Sequence, residues 1–166
     1  LSSNLSMLIA KRLSLLLAIV FISFLSGCAN LPSPDGMKSE VAKYQLPKTP
    51  EPGKAIVYVV RPSGLGGLIR FNVFVDDQEA ASEVGYTRSS QYIYFNLSPG
   101  EHKILSKAEN WAETLVNAQA GDIIFIQQEP TMGLIMARNN IFKIEDYVGK
   151  YHVKSLTMGT ILKSEK

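Results

Sequence analysis

Residues 55 to 145 consist largely of short runs in which apolar and polar side chains alternate, and this period of two constrains the fold more than any other feature. Successive side chains of a β-strand point to opposite faces, so the alternation predicts strands with one buried face. The clearest runs are Ala55–Arg61, bounded by Gly53 and by Pro62-Ser63-Gly64, and Ile69–Val75, in which Phe71, Val73 and Val75 share one face. Further runs cover Tyr92–Leu97, Glu101–Lys107, Glu113–Ala118, Asp122–Gln128, Gly133–Ala137 and Ile141–Glu145.

The connections between these runs are short and rich in turn residues, such as Asp76-Asp77 and Ser98-Pro99-Gly100. Parallel strands would need crossover helices, for which there is no pattern here. We therefore predict an all-β domain over residues 53–156, an antiparallel β-sandwich of about seven or eight strands, Ig-like or prealbumin-like. One short helix is expected at Asp146–Ser155, capping an open end of the sandwich with Val148, Tyr151, His152 and Ser155 on one face. Residues 157–166 are expected to form a C-terminal tail.

The first 27 residues predict an export signal. They contain no acidic residue, and Lys11-Arg12 precedes the apolar run Leu13–Phe24. The alternative is an uncleaved transmembrane helix, but Gly27, Asn30 and the prolines that follow interrupt the stretch before it reaches the roughly 20 apolar residues of a bilayer span.

Leu25-Ser26-Gly27-Cys28 follows the apolar run and resembles the lipobox of bacterial lipoproteins. The resemblance implies cleavage between Gly27 and Cys28, a diacylglycerol on the sulfur, and acylation of the new amino group. Two or three acyl chains anchor a protein firmly, since each buried CH₂ contributes about 0.8 kcal/mol. The alternative is a free thiol, and no internal disulfide is possible because the chain has one cysteine. Ala29 after the cysteine favours the outer membrane, on its periplasmic face, because the family's inner-membrane retention signal at that position is Asp.

Residues 28–52 are predicted to form a tether behind the lipidated cysteine. They contain five of the eight prolines and few apolar residues apart from a short helical turn at 37–44. Removing Lys11 and Arg12 with the signal leaves 15 basic and 15 acidic residues in the mature chain. The membrane contact is therefore assigned to lipid on Cys28, and no nucleic-acid partner is expected.

Three blocks of the sandwich resemble a known family of bacterial lipoprotein domains. They are Ile56–Pro62, Arg70–Asp76 and Tyr94–Ile104, and in this order they are similar to the domain of unknown function 2846, over about residues 54 to 145. The Pro-Gly-x-His-x-Ile part of the third block also occurs in PEGA-like modules. The resemblance implies architecture and location, with no activity to carry over. This chain has Val75-Asp76-Asp77 where the family usually has Val-Asp-Gly, so a tight turn with positive φ is less favourable here.

Catalytic, cofactor-binding and metal-binding patterns are missing from the sequence. His102 and His152 lie fifty residues apart, without a partner at metal-ligand spacing. Asp76, Asp77, Glu79 and Glu83 do not match the spacing of a calcium loop, and an acidic turn is the commoner explanation. The glycine-rich segment Pro62–Gly67 lacks the Lys-Ser/Thr pair of a phosphate loop and is expected to connect two strands.

Aromatic residues are the remaining candidates for a binding face. Tyr92 and Tyr94 alternate with core residues, so they are expected side by side on an outer face, and Trp111 falls in a connection. Exposed aromatic rings stack on sugars or anchor protein partners. The alternative is ordinary packing, with Trp111 covering an open end of the core.

Three functions remain open. The first is a lipid-anchored cell-envelope protein that presents a non-catalytic recognition module to protein partners or supports an envelope assembly. The second is a carbohydrate-binding or peptidoglycan-binding module on the same anchor. The third, a small hydrolase, would need a site assembled from distant residues.

Overall fold

The computed structural model describes residues 31–163, and a compact unit begins at Ser33. The predicted signal peptide, Gly27 and Cys28 lie outside these residues. The helices are α1 (Pro34–Val41) and α2 (Asp146–Ser155), and a single 3-10 turn covers Ala80–Ser82. The strands are β1 (Ala55–Arg61), β2 (Phe71–Val75), β3 (Glu83–Thr87), β4 (Gln91–Leu97), β5 (Gly100–Lys107), β6 (Trp111–Ala118), β7 (Ile123–Met132), β8 (Ala137–Ile144), β9 (Thr157–Met158) and β10 (Thr160–Ile161).

Two five-stranded sheets pack face to face. Sheet A has the order β8-β7-β1-β4-β9, and sheet B has the order β10-β3-β2-β5-β6. The expectation of a mostly-β, sandwich-like domain is confirmed, but the expectation of purely antiparallel sheets is wrong, because β1 pairs with β7 and β4 with β9 in parallel. A parallel pair needs a long crossover. Between β1 and β7 the chain supplies that crossover as strands, most of them in sheet B, rather than as a helix.

Both faces of β1 are buried, which explains its continuous apolar run. Val57 and Val59 point into the core between the sheets, with Ile93 and Phe95 of β4 beside them. Tyr58 and its neighbours on the opposite face form a second apolar cluster on the outer side of sheet A. Strand β1 thus contributes to two apolar clusters, and the cluster on the outer side of sheet A must be covered by other segments of the chain.

Helix α2 is part of that cover. Its predicted bounds are confirmed, but it lies on the outer face of sheet A rather than across an open end. A side chain at Gly149 would overlap Phe125 of β7, so glycine permits the close approach. The buried residues are Gly149, His152 and Val153, so only His152 of the face predicted from Val148, Tyr151, His152 and Ser155 is buried.

The segment expected to be a tether folds onto the domain from Ser33 onward. The Ser33 hydroxyl accepts the Gly36 N–H at 3.2 Å and caps α1, which packs on α2. Farther along, the Tyr58 hydroxyl accepts the Lys48 N–H at 2.9 Å and donates to the Lys48 carbonyl at 2.6 Å. Tyr44 and Leu46 supply the apolar contacts. An extended tether can therefore reach only as far as residue 32.

The C-terminal tail also differs from the expectation, since β9 and β10 pair with β4 and β3. Strand β3 itself was missed in the sequence, and Gly85 at its centre accounts for that, because glycine is a poor strand former. A side chain at Gly85 would overlap the Thr160 carbonyl. Neither helix in residues 31–163 is long and apolar enough to cross a membrane.

Candidate functional site

Tyr92 and Tyr94 do lie side by side on the outer face of sheet A, but that face is covered. Tyr92 is only 8% exposed and Tyr94 is half-buried. The Tyr58 ring lies 6.2 Å from that of Tyr92 and 5.6 Å from that of Tyr94, between centroids, and Tyr44 packs on the same cluster. Burial raises the pKa of Tyr92 above the ordinary tyrosine value. These two side chains hold residues 44–48 against the sheet and do not form an open binding face.

Trp111 lies elsewhere, at the start of edge strand β6 on the outer face of sheet B. Its ring meets Phe74 edge-on with 5.1 Å between centroids, and the Lys107 ammonium lies 5.0 Å from its centroid. Lys103 pairs with Glu113 at 3.6 Å on the same face, and Leu115 is 74% exposed beside them. The structure therefore separates Trp111 from the tyrosines and places it on a face that neither described helix covers.

His102 is held at the end of the sandwich where β2 and β5 meet their turns. Its Nδ1 lies 3.0 Å from an Asp76 carboxylate oxygen, and its Nε2 donates to the Ser98 carbonyl at 2.9 Å. Asp76 has φ of 71° and so adopts the left-handed region, whereas Asp77, which stands where the family usually has Gly, does not have a positive φ. The Asp76 carboxylate also accepts the Lys103 N–H at 3.1 Å, which helps to offset that strain. His102 and Asp76 stabilise a turn.

The other acidic residues of the Asp76–Glu83 segment are engaged locally as well. The Asp77 carboxylate accepts the Glu79 N–H at 2.9 Å, and Glu83 accepts the Asn72 side-chain amide at 2.6 Å. Within residues 31–163 no group of three or more His, Cys, Asp or Glu side chains is arranged to hold a metal ion. His152 lies on the buried face of α2, where loss of solvation lowers its pKa from the ordinary histidine value.

The opposite end of the sandwich, which we call the apolar end, is formed by residues 62–70 and 132–137. Leu68 is 91% exposed, Leu134 92% and Ile135 91%, and Leu65 and Met132 are exposed beside them. The loops contact each other, since a side chain at Gly66 would lie 2.9 Å from the Ala137 Cβ. A shallow, mainly apolar groove of about 320 Å³ runs between them. Clustered apolar exposure of this kind marks an interaction surface.

Arg61 fixes the first of these loops, residues 62–70, from the interior of the domain. Its side chain is fully buried, and its guanidinium lies 3.7 Å from the Phe71 ring centroid. Nη1 donates to the Ile69 carbonyl at 2.6 Å, and Nη2 donates to the Leu65 and Gly66 carbonyls at 2.9 and 3.0 Å. Burial lowers the pKa of Arg61 to about 10, which leaves the guanidinium charged at neutral pH. The charge is held by backbone carbonyls that belong to the exposed loop.

Glu109 fixes the second loop, residues 132–137, by accepting hydrogen bonds from its backbone, whereas Arg61 donates them. Its carboxylate accepts the N–H groups of Leu134 and Ile135 at 3.1 Å each and that of Met136 at 2.8 Å. These three bonds, that from Met136 first, lower the pKa of Glu109 below the ordinary value. A side chain at Gly133 would overlap the Met136 carbonyl, so the turn requires glycine there. The exposed apolar residues are thus presented by backbone whose hydrogen bonds are made within the protein.

Sequence reasoning missed this end of the molecule. It assigned 133–137 to a strand, whereas β8 begins at Ala137, and it gave Pro62–Gly67 no role beyond connecting two strands. The available signal was the run Gly133-Leu134-Ile135-Met136, whose apolar residues are consecutive rather than alternating. Nothing local in the sequence connects Arg61 or Glu109 with the loops that they hold.

Comparisons with known proteins identify the family of this chain. The family model described as "Protein of unknown function (DUF2846)" matches residues 51–143, which is more than half of the chain and includes β1 to β7 and most of β8. An uncharacterized protein of Haemophilus influenzae is 26% identical over 135 residues, covering 81% of this chain and 77% of that protein. No solved structure matches. The chain belongs to the DUF2846 family.

Proposed function

We propose that this protein is a lipid-anchored component of the bacterial cell envelope, most consistent with the periplasmic face of the outer membrane, and that it acts by binding rather than by catalysis. Support for the anchor comes from the order Leu25-Ser26-Gly27-Cys28 after an apolar run, with the folded unit beginning at Ser33. The two histidines do not support an enzyme, because His102 is engaged in a turn and His152 is buried on the inner face of α2.

The asymmetry between the two outer faces of the sandwich carries the proposal of a recognition module. Sheet A is covered by α2 and residues 44–48, with α1 packed on α2, whereas the outer face of sheet B carries Trp111, the Lys103–Glu113 pair and exposed Leu115. A half-buried tryptophan among mixed charges and exposed apolar area is typical of protein-binding surfaces. We assign recognition of an envelope protein to this face. Stacking of Trp111 on a sugar is less favoured, because Lys107 already lies over its ring.

Photocrosslinking in intact cells tests this proposal. A photoreactive amino acid replaces Leu115 on sheet B in one strain and Lys143, exposed on β8 of sheet A, in a control strain. We expect a discrete protein adduct from position 115 and none from position 143, with Trp111→Ala reducing the adduct at 115 at unchanged protein level. Equal adducts at both positions, or an adduct that Trp111→Ala leaves intact, would contradict the assignment.

Mass spectrometry tests the anchor separately. The mature protein is expected to begin at Cys28 and to carry a diacylglycerol and a further acyl chain, and Cys28→Ser is expected to leave the precursor uncleaved. Mature wild-type protein without lipid would refute the anchor.

A further inference from the structure

We propose that the apolar end is a lipid-docking surface, which inserts Leu68, Leu134 and Ile135 into the interface of a bilayer containing anionic lipid. This surface is distinct from the sheet B face assigned to protein recognition and does not depend on lipidation of Cys28. The three side chains project from loop tips instead of lining a cavity, each being nine-tenths exposed. Projecting apolar side chains can enter the boundary between headgroups and acyl chains without opening the core.

The hydrogen bonding of the loops fits a low-dielectric surrounding. Backbone groups that leave water must find partners within the protein, because each unsatisfied group is costly in an apolar medium. Glu109 accepts three consecutive N–H groups of the 133–136 loop, and Arg61 donates to three carbonyls of the 62–70 loop. Both loops therefore present apolar side chains from backbone in which these six groups already have hydrogen-bond partners within the protein.

Charge complementarity identifies the partner as an anionic surface. Three basic side chains lie at or next to the apolar end, in the residues Arg70, Arg88 and Arg138. Glu109 is the acidic residue among the same connections, and it is already bonded to the loop backbone. Arg88 belongs to the turn beside Gly67, whose carbonyl accepts the Ser89 N–H. Basic groups near a negatively charged bilayer strengthen its binding, so the apolar and electrostatic contributions act together.

The opposite end of the sandwich would be repelled by the same surface. Its connections carry Asp76, Asp77, Glu79 and Asp122, with Lys54 nearby. The two ends of the sandwich therefore differ in charge, and an anionic bilayer orients the domain with the apolar end toward the membrane. Where Cys28 is lipidated, the five positions from Cys28 to Ser33 span at most about 18 Å, which holds the domain within reach of the headgroups.

Vesicle sedimentation with residues 29–166 tests the proposal without the lipid anchor. This chain keeps both sheets, both helices and every contact described above, since the folded unit begins at Ser33. Vesicles of phosphatidylcholine alone are compared with vesicles that also contain phosphatidylglycerol. We expect binding to the anionic vesicles, weakened roughly tenfold or more by Leu134→Ser with Ile135→Ser and weakened by high salt.

Leu115→Ser is the matched control, because Leu115 is also exposed but lies on the sheet B face, and it is expected to bind like the wild type. Circular dichroism checks that all variants are folded. Three results would overturn the proposal: no binding to anionic vesicles, equal binding by the wild type and the folded double variant, or equal binding to neutral and anionic vesicles. Self-association that the double variant abolishes, without vesicle binding, would assign the surface to a second copy of the chain instead.

Discussion

The two ends of the sandwich close the same pair of sheets with opposite chemistry. The end of the sandwich that carries Asp76 and Asp77 is called the acidic end here. Both carboxylates bind backbone N–H groups of their own turn or of the adjoining strand, so local structure explains why these residues are polar. At the apolar end, the charged side chains Arg61 and Glu109 hold the loops from within, and the apolar residues Leu134 and Ile135 face outward. Folding alone does not account for this arrangement of charged side chains inside and apolar side chains outside, because exposed apolar side chains contribute nothing to a core. The comparison therefore supports the lipid-docking surface proposed at the apolar end, whereas hydrogen bonds of the fold explain the polar residues at the other end.

Arg61 is expected to give the largest effect on stability. Arg61→Met keeps an unbranched apolar stem but leaves the carbonyls of Leu65, Gly66 and Ile69 without their donor, in a fully buried site. We expect the free energy of unfolding to fall by about 3 kcal/mol in chemical denaturation. Arg70→Met, at an exposed arginine beside Tyr86, is the control and is expected to change it by less than about 0.5 kcal/mol. Equal stability of Arg61→Met and the wild type would show that Arg61 does not hold the 62–70 loop.

Asp76 tests the acidic end in the same way, with a smaller expected effect. Asp76→Ala removes the acceptor for the Lys103 N–H and retains a side chain at φ of 71°. The free energy of unfolding is expected to fall by about 2 kcal/mol, from the lost hydrogen bonds and the left-handed backbone together. Asp76→Gly loses the same bonds but relieves the backbone strain, so it is expected to cost about half as much. An alanine variant as stable as the glycine variant would contradict the role given to φ.

Glu109 is expected to produce the smallest global change and a local one instead. Glu109→Gln replaces the carboxylate that accepts from Leu134, Ile135 and Met136, so hydrogen exchange of these three amides is expected to accelerate while global stability changes little. The matched control is Glu113→Gln, whose carboxylate pairs with Lys103 on sheet B. Unchanged exchange at 134–136 in Glu109→Gln would show that the loop is fixed by other contacts.

The same carboxylate predicts a pH dependence. Because the pKa of Glu109 is lowered in the folded protein, the protection of these amides should be fully present above the ordinary glutamate pKa and should be lost as the pH falls through the lowered value. Glu109→Gln should remove this dependence. An acid-induced loss of protection that persists in Glu109→Gln would assign the effect to another group.

Local pattern predicted the strands well and long-range pairing poorly. The bounds of β1 and α2 follow from the sequence, since β-branched residues and turn punctuation are local signals. The parallel pairing of β1 with β7 depends on residues nearly seventy positions apart, and no pattern within either strand specifies it. Likewise, residues 44–48 resemble a linker by composition, and only the position of the Tyr58 hydroxyl shows that they bind the sheet.

The candidate binding residues show the same contrast between local pattern, which the sequence reveals, and long-range contacts, which it does not. Alternation placed Tyr92 and Tyr94 correctly on an outer face, but it could not show that α2 and residues 44–48 cover that face. Trp111 was grouped with them by residue type, although it lies on the other sheet. The apolar end could not be predicted, because Arg61 and Glu109 act through backbone groups of loops that a sequence pattern does not bring together.

A fluorescent probe placed at each end of the sandwich tests the difference between the two ends most directly. The chain after Cys28 has no cysteine, so Leu134→Cys and Asp77→Cys in residues 29–166 each give one labelling site for an environment-sensitive dye. On addition of vesicles that contain phosphatidylglycerol, we expect a blue shift and reduced access of an aqueous quencher at position 134, and no change at position 77. Equal responses at the two positions, or none at position 134, would contradict the assignment of the apolar end to a lipid surface.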